Sequence, residues 1–178
     1  QLEEQSQARR QEWFSKMEED QRLSTRLQSL SRLSENYEGY FQGVRNLMKA
    51  KENFPGIHGV LAELISVAST HQTAIETALG GALQNVVVAD EQVGKTAISY
   101  LTQHRLGRVT FLPLTTIRKR ELQPAQIQTA QGQAGFVGVA ADLVKTDSAY
   151  RPVVQSLLGT TVIVTNMDEA VPMARALQ

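Results

Sequence analysis

Cysteine is absent from this chain of 178 residues, and no apolar run approaches the roughly 18–20 residues needed to cross a bilayer. Without cysteine there is no disulfide framework, no thiolate zinc site and no cysteine nucleophile. Neither sign of charge dominates: 18 Lys and Arg face 18 Asp and Glu. That balance argues against a strongly basic nucleic-acid binder, although a total hides its distribution. The opening QLEEQSQARR carries charge with no apolar stretch behind it, and so does not read as a secretory signal. What is present, 42% hydrophobic and 20% charged residues, describes a soluble globular protein with length for one or two small domains and a real core. A cytoplasmic location fits.

Glycine and proline are also missing, but only before Gly39. Residues 1–38 hold six basic and eight acidic side chains, a net of −2, whereas 39–178 hold twelve and ten, a net of +2. The first region is rich in Gln, Glu, Arg, Ser and Leu, mostly tolerable or good helix residues. Leu23, Leu27, Leu30, Tyr37 and Phe41, with Ser34 in the gap, follow the 4, 3, 4, 3, 4 spacing of heptad a and d positions. Continued backward, the register meets Asp20, Lys16, Trp13, Arg9, Ser6 and Leu2, so the seam weakens toward the N-terminus. Two readings stand: an amphipathic helix lying on its own globular domain, or a coiled-coil arm over 1–38 whose stripe needs another helix. No later heptad in the chain is comparable. Gly39 and Gly43 each weaken a helix by roughly 1 kcal/mol relative to Ala, so the arm ends or bends there.

The remainder is organised by an internal repeat. GVLAELISVASTHQTAIETALG, from Gly59 to Gly80, aligns without a gap to GVAADLVKTDSAYRPVVQSLLG, from Gly138 to Gly159, with seven identities over 22 positions. After a short deletion, Gln84–Ala89 and Thr160–Thr165 both read as buried strands rich in β-branched residues. Each precedes a helical stretch, Glu91–Gln103 and Asp168–Gln178. A helix over Thr70–Leu79 and a strand over Arg108–Leu112 complete the first copy. Alternation of this kind predicts an α/β fold, a mixed α+β sheet in two pseudo-symmetric lobes: lobe one over 39–121 and lobe two over 138–178. The counterpart of strand Arg108–Leu112 would fall beyond Gln178, leaving lobe two incomplete with a sheet edge open to another chain. Between the copies, Leu122–Gly135 carries five Gln, Pro124 and two Gly, and the span 122–137 reads as a surface linker with room for one helical turn.

No catalytic constellation stands out. Gly94-Lys95-Thr96 follows a strand as a phosphate-binding loop does, but the first glycine is replaced by Ala89, and Asp90 and Glu91 would repel phosphate. Those two acids suit the first turn of the next helix. His58, His71 and His104 lack the spacing of a helical metal pair, so no metal or cofactor is expected. His71 aligns with Tyr150, which suggests packing at a helix start. The basic stretch is richer in meaning: Arg105, Arg108, Arg118, Lys119 and Arg120 follow His104 with no acid among them. Arg45, Lys49 and Lys51 form a second cluster. Such clusters neutralise phosphates in weak, salt-sensitive DNA binding, or form an ordinary solvated face with Arg108 held structurally. No aromatic interleaves Arg118–Arg120, which disfavours stacking on single strands.

Taken in order, Tyr40…Gly43-Val44, Gly56-Ile57-His58-Gly59, Glu63-Leu64, Ala74 to Gly80, Leu83 to Val88 and Gly107-Arg108-Val109-Thr110-Phe111-Leu112-Pro113-Leu114 resemble the hinge domain of structural maintenance of chromosomes (SMC) proteins, the bacterial ones above all. Gly138 to Val144 and Tyr150-Arg151-Pro152-Val153-Val154 through Leu157-Leu158-Gly159 continue the match, which covers about residues 40–178. The resemblance implies a non-catalytic, two-lobed domain at the far end of an antiparallel coiled coil, distant from ATPase heads. It implies a second hinge as dimer partner, DNA as ligand, a returning coiled-coil helix and a role in chromosome condensation and segregation at the nucleoid, with no membrane. Gly59, Gly80, Gly107, Arg108, Pro113, Gly138 and Gly159 are the motif positions it marks as structural. In that family lobe two continues through a further strand and a glycine-rich segment, so dimerisation of a chain ending at Gln178 is the point the resemblance leaves open. The competing expectation is a small nucleotide-binding α/β enzyme using Gly94-Lys95-Thr96.

Overall fold

The computed structural model describes residues 13–28 and 39–177. The chain divides into two units, 1–40 and 41–178. In the first, residues 13–28 form helix α1. Its apolar side chains Trp13, Phe14, Met17, Leu23 and Leu27 are all exposed. The heptad positions Leu30, Ser34 and Tyr37, like Leu2, Ser6 and Arg9, lie outside the described residues.

In the second unit, α2 (Gln42–Lys49) is followed by β1 (Ile57–Val60), a single turn α3 (Leu61–Leu64), β2 (Ile65–Val67), α4 (Gln72–Leu79), β3 (Val86–Val88), α5 (Glu91–Gln103) and β4 (Phe111–Pro113). Then come α6 (Pro124–Gln131), β5 (Phe136–Val139), a 3-10 turn at Ala140–Leu143, β6 (Val144–Thr146), α7 (Arg151–Leu158), β7 (Val162–Val164) and α8 (Met167–Ala176). The repeat is a repeat in space. β1, α3, β2 and α4 each reappear 79 residues later as β5, the 3-10 turn, β6 and α7. His71 and Tyr150, aligned in sequence, each sit immediately before a helix.

Strand pairing repeats as faithfully. β1 runs antiparallel to β3 with Ile57 opposite Val88 and Val60 opposite Val86, and an irregularity between Ile57 and Gly59. β5 runs antiparallel to β7 with Phe136 opposite Val164 and Val139 opposite Val162, and the same irregularity between Phe136 and Gly138. The lobes join through β2 and β6, where Ile65 faces Thr146, Ser66 faces Lys145 and Val67 faces Val144. Ser66 and Lys145 are counterparts in the repeat, so a pseudo-twofold axis passes between them.

One hydrophobic cluster draws on both lobes. Leu61, Ile75, Leu79 and Val87 from lobe one pack with Ala140, Ala141, Val144, Val153, Val154, Leu158 and Ile163 from lobe two. Three successive valines in β3 are fully buried because both faces of that strand are covered. Arg151 secures the second lobe from its rim. Its guanidinium donates to the carbonyls of Ala141 (2.8 Å) and Val144 (3.1 Å) and to Asp142 Oδ1 (2.9 Å).

Two boundaries differ from expectation. The strand expected over Arg108–Leu112 occupies Phe111–Pro113, parallel to β3, and the backbone of Arg108 ahead of it abuts Gly43 of α2. The Gln-rich stretch within 122–137 contains an eight-residue helix, α6, and the start of β5. Pro124 at its first turn and a reciprocal capping box between Gln123 and Gln126 begin that helix without any apolar periodicity. α6 packs on α8 and β5, as α2 packs on α5. The repeating unit therefore includes a leading helix that sequence comparison did not align.

Candidate nucleic-acid interface

Part of the second basic cluster lies beside the first, and the rest lies elsewhere. Arg45 and Lys49 lie on α2, whose buried stripe Gly43, Val44, Leu47 and Met48 faces the lobe. That stripe brings α2 against the turn after α5. Asn46 Nδ2 donates to the Leu106 carbonyl at 2.9 Å, and the backbone of Gly43 abuts that of Arg108. So α2, bearing Arg45 and Lys49, lies against the turn bearing Arg105 and Arg108, some sixty residues later in the chain. Lys49, Arg105 and Arg108 are exposed and Arg45 is half-buried. The Lys51 ammonium donates to the His58 carbonyl at 2.8 Å. Arg118, Lys119 and Arg120 are exposed on the irregular stretch that leads from β4 to α6, a separate location from α2.

Arg105 has a structural role that charge counting missed. It ends α5 in the left-handed region at φ 53, with Leu106 N–H donating to Leu101 O at 2.9 Å and Arg105 N–H to Thr102 O at 3.2 Å. This is a Schellman stop in which glycine is the usual residue. A residue with a Cβ held there costs about 1–2 kcal/mol. Arg105→Gly should therefore raise the unfolding free energy by about 1 kcal/mol in urea titrations. A stability loss would contradict the strained-turn account.

The motif glycines and their neighbours serve different ends. Gly59 and Gly138 sit at the matching strand irregularities. Gly80 caps α4 at φ +49 with open space around it. Gly107, at φ +108, leaves room for Gly43, whose amide nitrogen would lie 2.9 Å from an added Cβ. Pro113 closes β4 opposite Val88. Gly159 has ordinary helical angles, yet a Cβ there would overlap the carbonyl oxygen of Arg120.

Gly94-Lys95-Thr96 does not form a loop. All three residues lie inside α5, where Gly94 is buried against Phe111 and Thr96 Oγ1 donates to Gln92 O at 3.0 Å. At the start of that helix Asp90 already accepts the Val93 N–H at 2.9 Å. A phosphate would meet a carboxylate where it needs donors. Among the described residues no group of three or more His, Asp or Glu could hold a metal ion. None of the described helices is long and apolar enough to cross a membrane.

Among known proteins, residues 54–174 match the family described as the SMC proteins flexible hinge domain. The chromosome partition protein Smc of Bacillus subtilis is 44% identical over 157 residues, which is 88% of this chain and 13% of that protein. Smc of Pyrococcus furiosus is 44% identical over 118 residues, 66% of this chain and 9% of that one. The chain thus spans only a small part of the relatives it matches. Among solved structures, the SMC hinge domain of Geobacillus stearothermophilus, described as an asymmetric dimer, superposes with a TM-score of 0.86 at 41% identity, covering 88% of this chain and 62% of that one. The Pyrococcus furiosus hinge domain gives 0.63 at 36% identity, covering 78% and 70%. With the duplicated fold matched across nearly its whole globular unit, this chain belongs to the SMC hinge-domain family.

Proposed function

We propose that this chain is the non-catalytic module that links two SMC coiled-coil arms, and that it contacts DNA through its basic segments during chromosome condensation and segregation at the nucleoid. The pseudo-twofold duplication carries the coupling half. A body with like lobes at its two ends offers matching surfaces, so lobe one of one copy can meet lobe two of another and close a two-membered ring. The edge of β7 supports it. Its counterpart β3 has neighbours on both sides, β1 and β4, whereas among the described residues β7 pairs with β5 alone. An unpaired strand edge is a ready template for a strand from elsewhere, and β7 also lines an open groove of about 640 Å³ with His71, Ala74, Val137 and Met167. The described dimer of the Geobacillus hinge agrees with this reading.

The acid-free run of exposed cations from Arg105 to Arg120 supports the DNA half. Light scattering of this chain, and of one extended beyond Gln178 along the natural sequence, tests the coupling: the extended chain should have the mass of a dimer, and a monomer at micromolar concentration would sink it. A salt titration with duplex DNA tests the other half. Retention at 50 mM salt should fall steeply by 200 mM, by about tenfold for each few phosphates neutralised, and no binding at 50 mM removes DNA from the proposal.

A further inference from the structure

Residues 105–123 form one continuous strap that leaves α5, enters the sheet as β4 and crosses from lobe one to lobe two. It carries Arg105, Arg108, Arg118, Lys119 and Arg120. At each end its backbone passes directly over a glycine. At the lobe-one end a Cβ on Gly43 would overlap the Arg108 carbonyl oxygen and lie 2.8 Å from its carbon. At the lobe-two end a Cβ on Gly159 would overlap the Arg120 carbonyl oxygen and also lie 2.8 Å from its carbon. Each close approach is paired with a side-chain anchor. Asn46 Nδ2 donates to Leu106 O at 2.9 Å, and Gln155 Nε2 donates to Glu121 Oε1 at 3.1 Å. In between, Val86 N–H donates to Thr110 O and Leu114 N–H to Val88 O, each at 2.9 Å.

Neither glycine has torsion angles that call for glycine. Gly43 lies inside α2 and Gly159 has φ −67 and ψ −15, conformations in which alanine would be the better residue. At Gly43 all of the close contacts come from the strap, and at Gly159 the nearest comes from the strap, with the carbonyl oxygen of Gln155 in the preceding helix also overlapped. The adjacent Glu121, the one acid next to the cations Arg118–Arg120, is itself engaged by Gln155.

We infer that Gly43 and Gly159 are positioning residues that clamp this strap at its two ends, so that its cations are held in a fixed array for the phosphates of DNA. The inference rests on the DNA reading above and adds to it the device that orders the contact surface. A pre-ordered array binds without first ordering a mobile chain, and it engages more phosphates at once.

The test compares Gly43→Ala and Gly159→Ala in the intact chain with Gly81→Ala, whose Cβ would meet nothing within 4 Å. Two quantities are measured well below each melting midpoint: amide hydrogen exchange along the chain, and the salt dependence of binding to a duplex oligonucleotide. In both clamp variants exchange across 105–123 should quicken about tenfold while β1 keeps wild-type rates. The slope of log affinity against log salt should fall by about one or more, which a merely less stable but still folded protein would not show. Gly81→Ala should change neither. Unchanged exchange in the strap overturns the clamp. Faster exchange with a wild-type salt slope also overturns the inference while leaving the DNA reading intact. A wild-type chain that fails to bind at low salt shows that the DNA reading itself is at fault. Should an alanine variant fail to fold, Asn46→Ala and Gln155→Ala remove the anchor at each end without adding an atom, and the same outcomes decide.

Discussion

Replacing Leu158 by alanine should lower the stability of the globular unit by about 2–5 kcal/mol, the range for emptying a well-packed aliphatic site. The side chain is only 1% exposed and lies in the cluster to which both lobes contribute. Because Leu158 belongs to lobe two and the cluster includes Leu61, Ile75, Leu79 and Val87 of lobe one, the loss should not stay local. Thermal unfolding should remain a single transition at lower temperature, and exchange in β1–β3 of lobe one should rise with that of lobe two. Two separate transitions, or loosening confined to lobe two, would show that the lobes are independent domains and that the shared core is only a contact between them.

Reversing Arg118, Lys119 and Arg120 together to glutamate should weaken binding to duplex DNA by at least about tenfold at low salt and reduce the salt slope by about three, one for each phosphate that is no longer neutralised. All three side chains are exposed, and stability should shift by no more than about 0.5 kcal/mol per site. The melting temperature therefore serves as the internal control. Undiminished DNA retention with an unchanged melt would make this stretch a solvated surface and move any DNA contact to Arg45, Lys49, Arg105 and Arg108.

Much of the fold was legible because its determinants are local. Glu91–Gln103 has a capping Asp90 before it and an apolar periodicity along it, and the helix occupies that span. The valines of β3 and the Val-Ile-Val of β7 announce buried strands wherever they are placed. The repeat was visible because both copies solve one packing problem with similar side chains. α6 was hidden for the opposite reason: its start depends on Pro124 and on glutamine side chains that cap the backbone, while its apolar face is nearly blank. Its likeness to α2 lies in what it packs against, which no alignment of letters records.

The candidate interface was legible as charge and not as place. A count of cations singled out Lys51 without showing that its ammonium donates to the His58 carbonyl. It also could not show that α2 and the turn after α5 abut, since their separation along the chain says nothing about a contact made by Gly43 and Asn46.

Local chemistry, acting over one or two turns, was enough to set where most helices and strands form, that they come in two copies, and which segment carries unopposed positive charge. Tertiary structure alone decided the pseudo-twofold joint at Ser66 and Lys145, the hydrophobic cluster shared by the two lobes, and the reason for each glycine. Gly80 and Gly159 align as the same letter in the two copies. One turns its backbone through positive φ in open space, and the other makes way for a chain segment arriving from the opposite lobe. Residues distant in sequence make that difference, and only packing in three dimensions brings them together.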